Sequence, residues 1–268
     1  MIERGAALRA SSAPCCTRYA SRMTDEALRE RLLHVMDRKN HRAWPAFARG
    51  EIPLNRLVVH FAQEWEVYVR DFPVLLARVL GHGPPDDVRR ALAANLYEEQ
   101  TGGISGSDAH PTLFLRMMEA CGYPLSRFEH VALLPESAAY RAFLDESTLR
   151  APWIVGCAVL TIFVEGSVND RQEITGPPHA PESDAEIERA VEQHPLVRVH
   201  GVPSIAMELT RVHRRVESGH RHDAWHSVLS HAKWSEHDAI VNAVERALDL
   251  WLRYRDSVAS ACGVTQLG

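Results

Sequence analysis

Long hydrophobic runs are missing from this sequence. Its longest, Ile154 to Val164 (IVGCAVLTIFV), is only about half of the roughly 20 residues a membrane span needs. No membrane partner is therefore expected. Cysteine is scarce and odd in number, five in all, with Cys15 and Cys16 adjacent and no CxxC pair. That pattern is no disulfide framework and points to a reducing, cytoplasmic location. Clustered positive charge is lacking too: the net charge is −5 and the basic residues are scattered, which excludes a nucleic-acid footprint. The first 23 residues hold one acid, Glu3, and no apolar h-region. They read as a disordered extension, with Met23 as an alternative initiator, and not as a signal peptide. Sustained period-two alternation is absent, so no strand is expected.

What is present is helical. From Asp25 onward, apolar residues recur at three- and four-residue intervals between Gly- and Pro-rich turns. The pattern predicts an all-α, single-domain bundle of seven to nine helices over residues 24–268. APWIVGCAVLTIFVEGSVNDRQEI, apolar around most of its circumference, marks the central buried helix. Five tryptophans, Trp44, Trp65, Trp153, Trp234 and Trp251, are expected in the core or in grooves.

Histidine is abundant, 15 in all, with nine between His179 and His237. The stretch HRRVESGH carries the informative spacing. At roughly 100° per residue, Glu217 lies about 40° and His220 about −20° from His213. Leu209, Val216, Ala224 and Val228 fall on the same side, within roughly 60°. Three ligand-type side chains thus share a face with core residues, which is costly unless they are paired or metal-bound. His222 and His226 project to the opposite side.

One helix cannot enclose a metal, so facing helices must contribute. Glu165 interrupts the most apolar helix, in IFVEGSVND, where a carboxylate calls for a partner or an ion. In ANLYEEQ, Glu99 extends the apolar row of Val88, Leu92 and Leu96 better than Glu98 does, and which of the two ligates stays open. His110 follows the glycine-rich loop TGGISGSDAHP. The combined set is Glu99, His110, Glu165, His213, Glu217 and His220. Three carboxylates and three imidazoles without a thiolate suit iron or manganese better than structural zinc. Glu165 is best placed to bridge two ions, and open coordination positions leave room for O2 and substrate. The plainer alternative is a His-rich solvated face, with His110 only a packing residue at a helix start.

A Glu/His pair around one loop (NLYEEQTGG…HPTLF), a mid-chain Glu (IFVEGS) and a terminal His-x3-Glu-x2-His (HRRVESGH) together resemble the haem-oxygenase-like di-iron oxidases and oxygenases. The similarity runs from about His41 to about Leu252. It implies a haem-oxygenase-like bundle and a non-haem, iron-dependent oxidoreductase. Its cofactors would be two Fe(II) ions per chain, the second readily lost, with O2 as co-substrate. Its substrate would be a small amine, amino acid or fatty-acid-like molecule undergoing N-oxygenation, oxidative C–C cleavage or desaturation, in specialised-metabolite biosynthesis. An external electron donor and a homodimer fit the same picture. The resemblance also places a substrate pocket at Gln63, Glu64 and Tyr68. It makes residues 173–202 a longer connection than usual, expected to cover the site.

Three other readings compete. A ferritin-like fold uses two Glu-x-x-His motifs, and this chain has one, Glu217–His220. Thiaminase-like and pyrroloquinoline-quinone-synthase-like proteins share the scaffold without iron, and the former use a nucleophilic cysteine. Cys157 reads instead as a small core residue. The third reading is a non-catalytic helical binding protein with incidental histidines.

Overall fold

The computed structural model describes residues 15–176 and 182–264; the side chains of residues 15–24 and 217–220 lie outside that description. The chain winds through α1 (Cys15–Met36), α2 (Trp44–Arg49) and α3 (Leu54–Glu64), which continues as a π-helical segment, Trp65–Val69. Next come α4 (Phe72–Gly81), α5 (Asp86–Thr101), α6 (His110–Ala120) and α7 (Pro135–Leu149). Helix α8 (Trp153–Cys157) runs directly into a second π segment, Ala158–Val164. The order closes with α9 (Asp170–Thr175), α10 (Asp184–Gln193), α11 (Pro195–Arg198), α12 (Glu208–His231) and α13 (His237–Ala261).

There is no strand among the described residues, as the periodicity requires. Among the described residues, thirteen α-helical segments exceed the predicted seven to nine because short connectors also wind up. Helices α2 and α11 are six and four residues long, each with a proline in its first positions, where the fixed φ suits a helix start. Of the predicted extension, residues 1–14 lie outside the described residues, whereas the backbone of 15–23 belongs to α1. Leu28, Leu32, Leu33, Val35 and Met36 anchor that helix in full burial, and extending a formed helix backward needs no new nucleus. Among the described residues, no helix is long and apolar enough to cross a membrane.

The predicted central helix is where expected. Residues from Ile154 to Phe163 are buried without a break, and the π segment packs against both α12 and α13. Helix α13 turns one stripe inward, Ile240, Val244, Leu248, Trp251 and Val258, at the spacing of a core-facing helix. Each such side chain contributes about 1.5–3 kcal/mol. Lys39 closes the far end of the π segment, where its ammonium donates to the carbonyls of Phe163, Val164 and Gly166. Trp65 and Trp251 are buried as predicted, but Trp234 is 70% exposed. It sits in the turn between α12 and α13, off any apolar stripe, with only the edge of His237 beside it.

Candidate metal centre

Helix α5 buries Val88, Leu92, Asn95 and Glu98, so its inward stripe runs onto a carboxylate. Glu98 is fully buried, and Glu99, beside it, keeps 13% of its side chain exposed. The helix stops at Gly102, whose φ of 64° lies in the left-handed region. The chain then turns back over the helix end. The N–H groups of Ile104 and Ser105 donate to Glu98 Oε2 at 2.8 and 3.0 Å. The other oxygen, Oε1, lies 3.3 Å from His110 Nε2 at the head of α6. Burial works against a charge on Glu98, but the bonds from Ser105, Ile104 and His110 outweigh it and hold the carboxyl below its usual range.

This arrangement separates the roles of the two glutamates. An ionised carboxylate only accepts, so Glu98 accepts the hydrogen bond of His110 Nε2–H and leaves Nδ1 turned to the other side. There Nδ1 is buried, 3.0 Å from Glu99 Oε1, without an aligned hydrogen bond among the described residues. A ring nitrogen and a carboxylate oxygen that converge on one point are a place for a cation. Burial alone would push the His110 imidazole down, yet Glu99 and Glu98 together raise it. In the metal-free protein a proton can fill the position that a metal would take.

Helix α12 supplies His213, whose ring lies 5.0 Å from that of His110. One donor atom each of Glu99, His110 and His213 lie within 4.8 Å of one another. With metal–ligand bonds of about 2 Å, side-chain shifts of under roughly an ångström would bring all three onto one ion. Glu165 lines the same cavity, at the end of the π segment, and accepts from Asn95 Nδ2 at 2.9 Å. π segments shift the phase of a helix and recur where side chains must be re-aimed. The other π segment delivers Tyr68 and Val69 to the same cavity. Glu217 and His220 lie on α12, but their side chains fall outside the described residues.

The cavity holds about 170 Å³, with Val69, Phe72, Val164, Leu209 and Val216 as its apolar wall. Of the predicted pocket residues, Tyr68 lines it. Glu64 stands behind, accepting from the Tyr68 hydroxyl at 2.9 Å and from Arg255 at 2.7 Å. Gln63 lies outside the described lining: its amide bonds the Ala132 carbonyl at 3.1 Å and the Leu134 N–H at 2.9 Å, a strut under the chain leading into α7. Arg221 also reaches the cavity, pairing at 2.8 Å with Glu173, and the sequence reading missed it. Its signal was available, since position 221 falls roughly 80° from His213 on the same helix. None of the described residues from 173 to 202 lines the cavity. Beyond Glu173, its residues pair along the first half of α12, where Glu188 holds Arg211 at 2.7 and 2.8 Å. His222 and His226 are exposed, as their phase predicts.

The loop after α5 is the weak joint of this construction. A Cβ at Gly102 would lie 2.5 Å from the Ser107 carbonyl oxygen and 2.6 Å from that of Asp108. Gly102→Ala is therefore expected to cost about 1–3 kcal/mol of stability and to loosen His110. Urea denaturation checks the first effect, and a stability equal to wild type would contradict it.

The family of iron-containing redox enzymes matches residues 59–252. Among solved structures, a TenA homologue from Pseudomonas syringae pv. tomato superposes with a TM-score of 0.61 at 15% identity, covering 97% of this chain and 99% of that one. At that identity the likeness establishes the fold alone. No curated protein matches the chain.

Proposed function

This chain belongs to the iron-containing redox enzyme family, and from that premise we propose that it is a non-haem di-iron, O2-activating oxidase or oxygenase. Its substrate is a small amine, amino acid or fatty-acid-like molecule, and its setting the cytoplasmic biosynthesis of a specialised metabolite. The observation that carries the reading is the buried convergence of His110 Nδ1 and Glu99 Oε1 beside His213.

Glu99, His110 and His213 would hold one ion, and Glu165, Glu217 and His220 complete the proposed set. Nitrogen and oxygen donors without thiolate suit iron. When bound, iron would supply electrons for the reduction of O2. The chain does the rest. Glu98 accepts from His110 Nε2–H and so would keep Nδ1 free to hold an ion. Asn95 orients the Glu165 carboxylate. Phe72, Val164, Leu209 and Val216 exclude water from the reacting substrate.

The metal-free, thiaminase-like reading needs a reactive thiol, and the residues give it little support. Burial pushes the thiols of Cys121, Cys157 and Cys262 up to about 11. Cys157 lines a separate pocket of about 30 Å³ beside Thr161, not the cavity of Glu99 and His213. A thiol so placed is a poor nucleophile.

Anaerobic titration with Fe(II), followed by O2, tests the proposal. The expected result is two irons per chain and a transient visible absorption band on exposure to O2. Less than about half an iron per chain, with no band, would overturn it.

A further inference from the structure

Tyr68 and Val164 line a second cavity as well, of about 230 Å³. Aromatic rings of Trp44, Tyr140 and Trp251 wall it, and Lys39 and Arg255 bring positive charge to it. Among the described residues, no acid is part of its lining. Arg255, on α13, is only 7% exposed, and a buried guanidinium is retained only with partners. One edge of it is spoken for. Nη2 donates to Glu64 at 2.7 Å and to the Tyr68 hydroxyl at 3.2 Å, while Nη1 lies 3.4 Å from His60 Nδ1. Trp44 and Trp251 cover its faces, with the cation 4.8 and 5.4 Å from the ring centres. Among the described residues its Nε has no hydrogen-bond partner.

Lys39 contributes field rather than bonds, because its ammonium donates to three backbone carbonyls. Glu64 and Asp170 partly balance the two cations from outside the lining. A half-open cavity whose inner wall carries a buried guanidinium with a spare N–H, and no described lining acid, selects an anion. The partial balance and the single spare donor favour a monoanion over a phosphate dianion, which would require more donors.

We propose that this second cavity binds the carboxylate end of a small organic substrate. The apolar or aromatic body lies against Trp44, Tyr140 and Trp251, and the far end passes Tyr68 and Val164 toward Glu99, His110 and His213. Only that last placement rests on the proposed metal centre; the binding of a carboxylate does not.

The test is calorimetric titration of the full, metal-free chain with straight-chain carboxylates from acetate to octanoate and with phenylacetate. Each is paired with its neutral amide, and inorganic phosphate is run beside them. At least one carboxylate should saturate a single site, about tenfold or more tighter than its amide and than phosphate. Asn40 stands exposed at the rim of this cavity, so substitutions there spare the core. Asn40→Asp should weaken the carboxylate about fivefold and Asn40→Lys should tighten it, with unchanged circular dichroism. Equal binding of acid and amide, tighter binding of phosphate, no carboxylate bound, or an Asn40→Asp affinity equal to wild type overturns the proposal. Iron titration of the same samples reports on the metal centre separately. His213→Ala should lose iron and keep the carboxylate, so failure of one reading is not failure of the other.

Discussion

Replacing His110 with alanine is expected to abolish stoichiometric iron binding, weakening it by more than about 100-fold. The side chain does two jobs at once. Its Nδ1 faces Glu99 and its Nε2 faces Glu98, so removal deletes a proposed ligand and leaves a fully buried carboxylate short of a partner. Glu98→Gln separates these jobs. Glu98 uses one oxygen to accept from the Ile104 and Ser105 N–H groups and the other to accept from His110. Glutamine has a single acceptor oxygen, so its NH2 must face either the two N–H groups or the Nε2 proton. Iron affinity should then fall about 10- to 100-fold, less than for His110→Ala, although no ligand atom is lost. Anaerobic Fe(II) titration with a circular dichroism control measures both. Wild-type affinity in His110→Ala would place the iron elsewhere in the chain.

The division of labour between Glu98 and Glu99 shows where sequence reading reaches and where it stops. Helical period brings both residues to the inward side of α5, because neighbours differ by roughly 100° and the buried arc is wide. Their roles are decided by the backbone N–H groups of Ile104 and Ser105, which meet Glu98 only after the loop folds back. No local pattern encodes that return. Gln63 shows the same limit: it points inward, at 4% exposure, but the chain near Ala132 occupies its amide. The two π segments are invisible to a 3.6-residue template, and they aim Tyr68 and Glu165. By contrast, α13 and the central helix were legible in outline, since burial of a continuous apolar stripe is a local property. Arg221 stood one residue past a motif and was overlooked because an arginine on a helix is ordinarily solvated. The second cavity joins Lys39 and Arg255 from opposite ends of the chain, and only tertiary packing makes them neighbours.

Acid should destabilise this fold before its carboxylates protonate, and His60 on α3 is the reason. The imidazole is buried against Trp44, Phe47 and Phe61, with Glu64 on its own helix and Arg255 from α13 as its charged neighbours. Burial pushes it from 6.5 down to about 4; Glu64 opposes that shift and Arg255 adds to it. Between those two values the unfolded chain binds a proton at this position and the folded chain does not. Stability therefore rises with pH across that window and is lost as pH falls from about 6.5 to about 4. At roughly 1.4 kcal/mol per unit, the full loss approaches 3 kcal/mol. His41 shifts in the same direction, so the window belongs to His60 only by difference. In His60→Gln, which cannot titrate, urea denaturation at pH 7 and at pH 4 should differ by about 3 kcal/mol less than in wild type. A variant that loses as much stability as wild type on acidification would show that His60 already carries its proton in the folded chain. The Glu64–His60–Arg255 network would then be an ion triad rather than an ion pair beside a neutral ring.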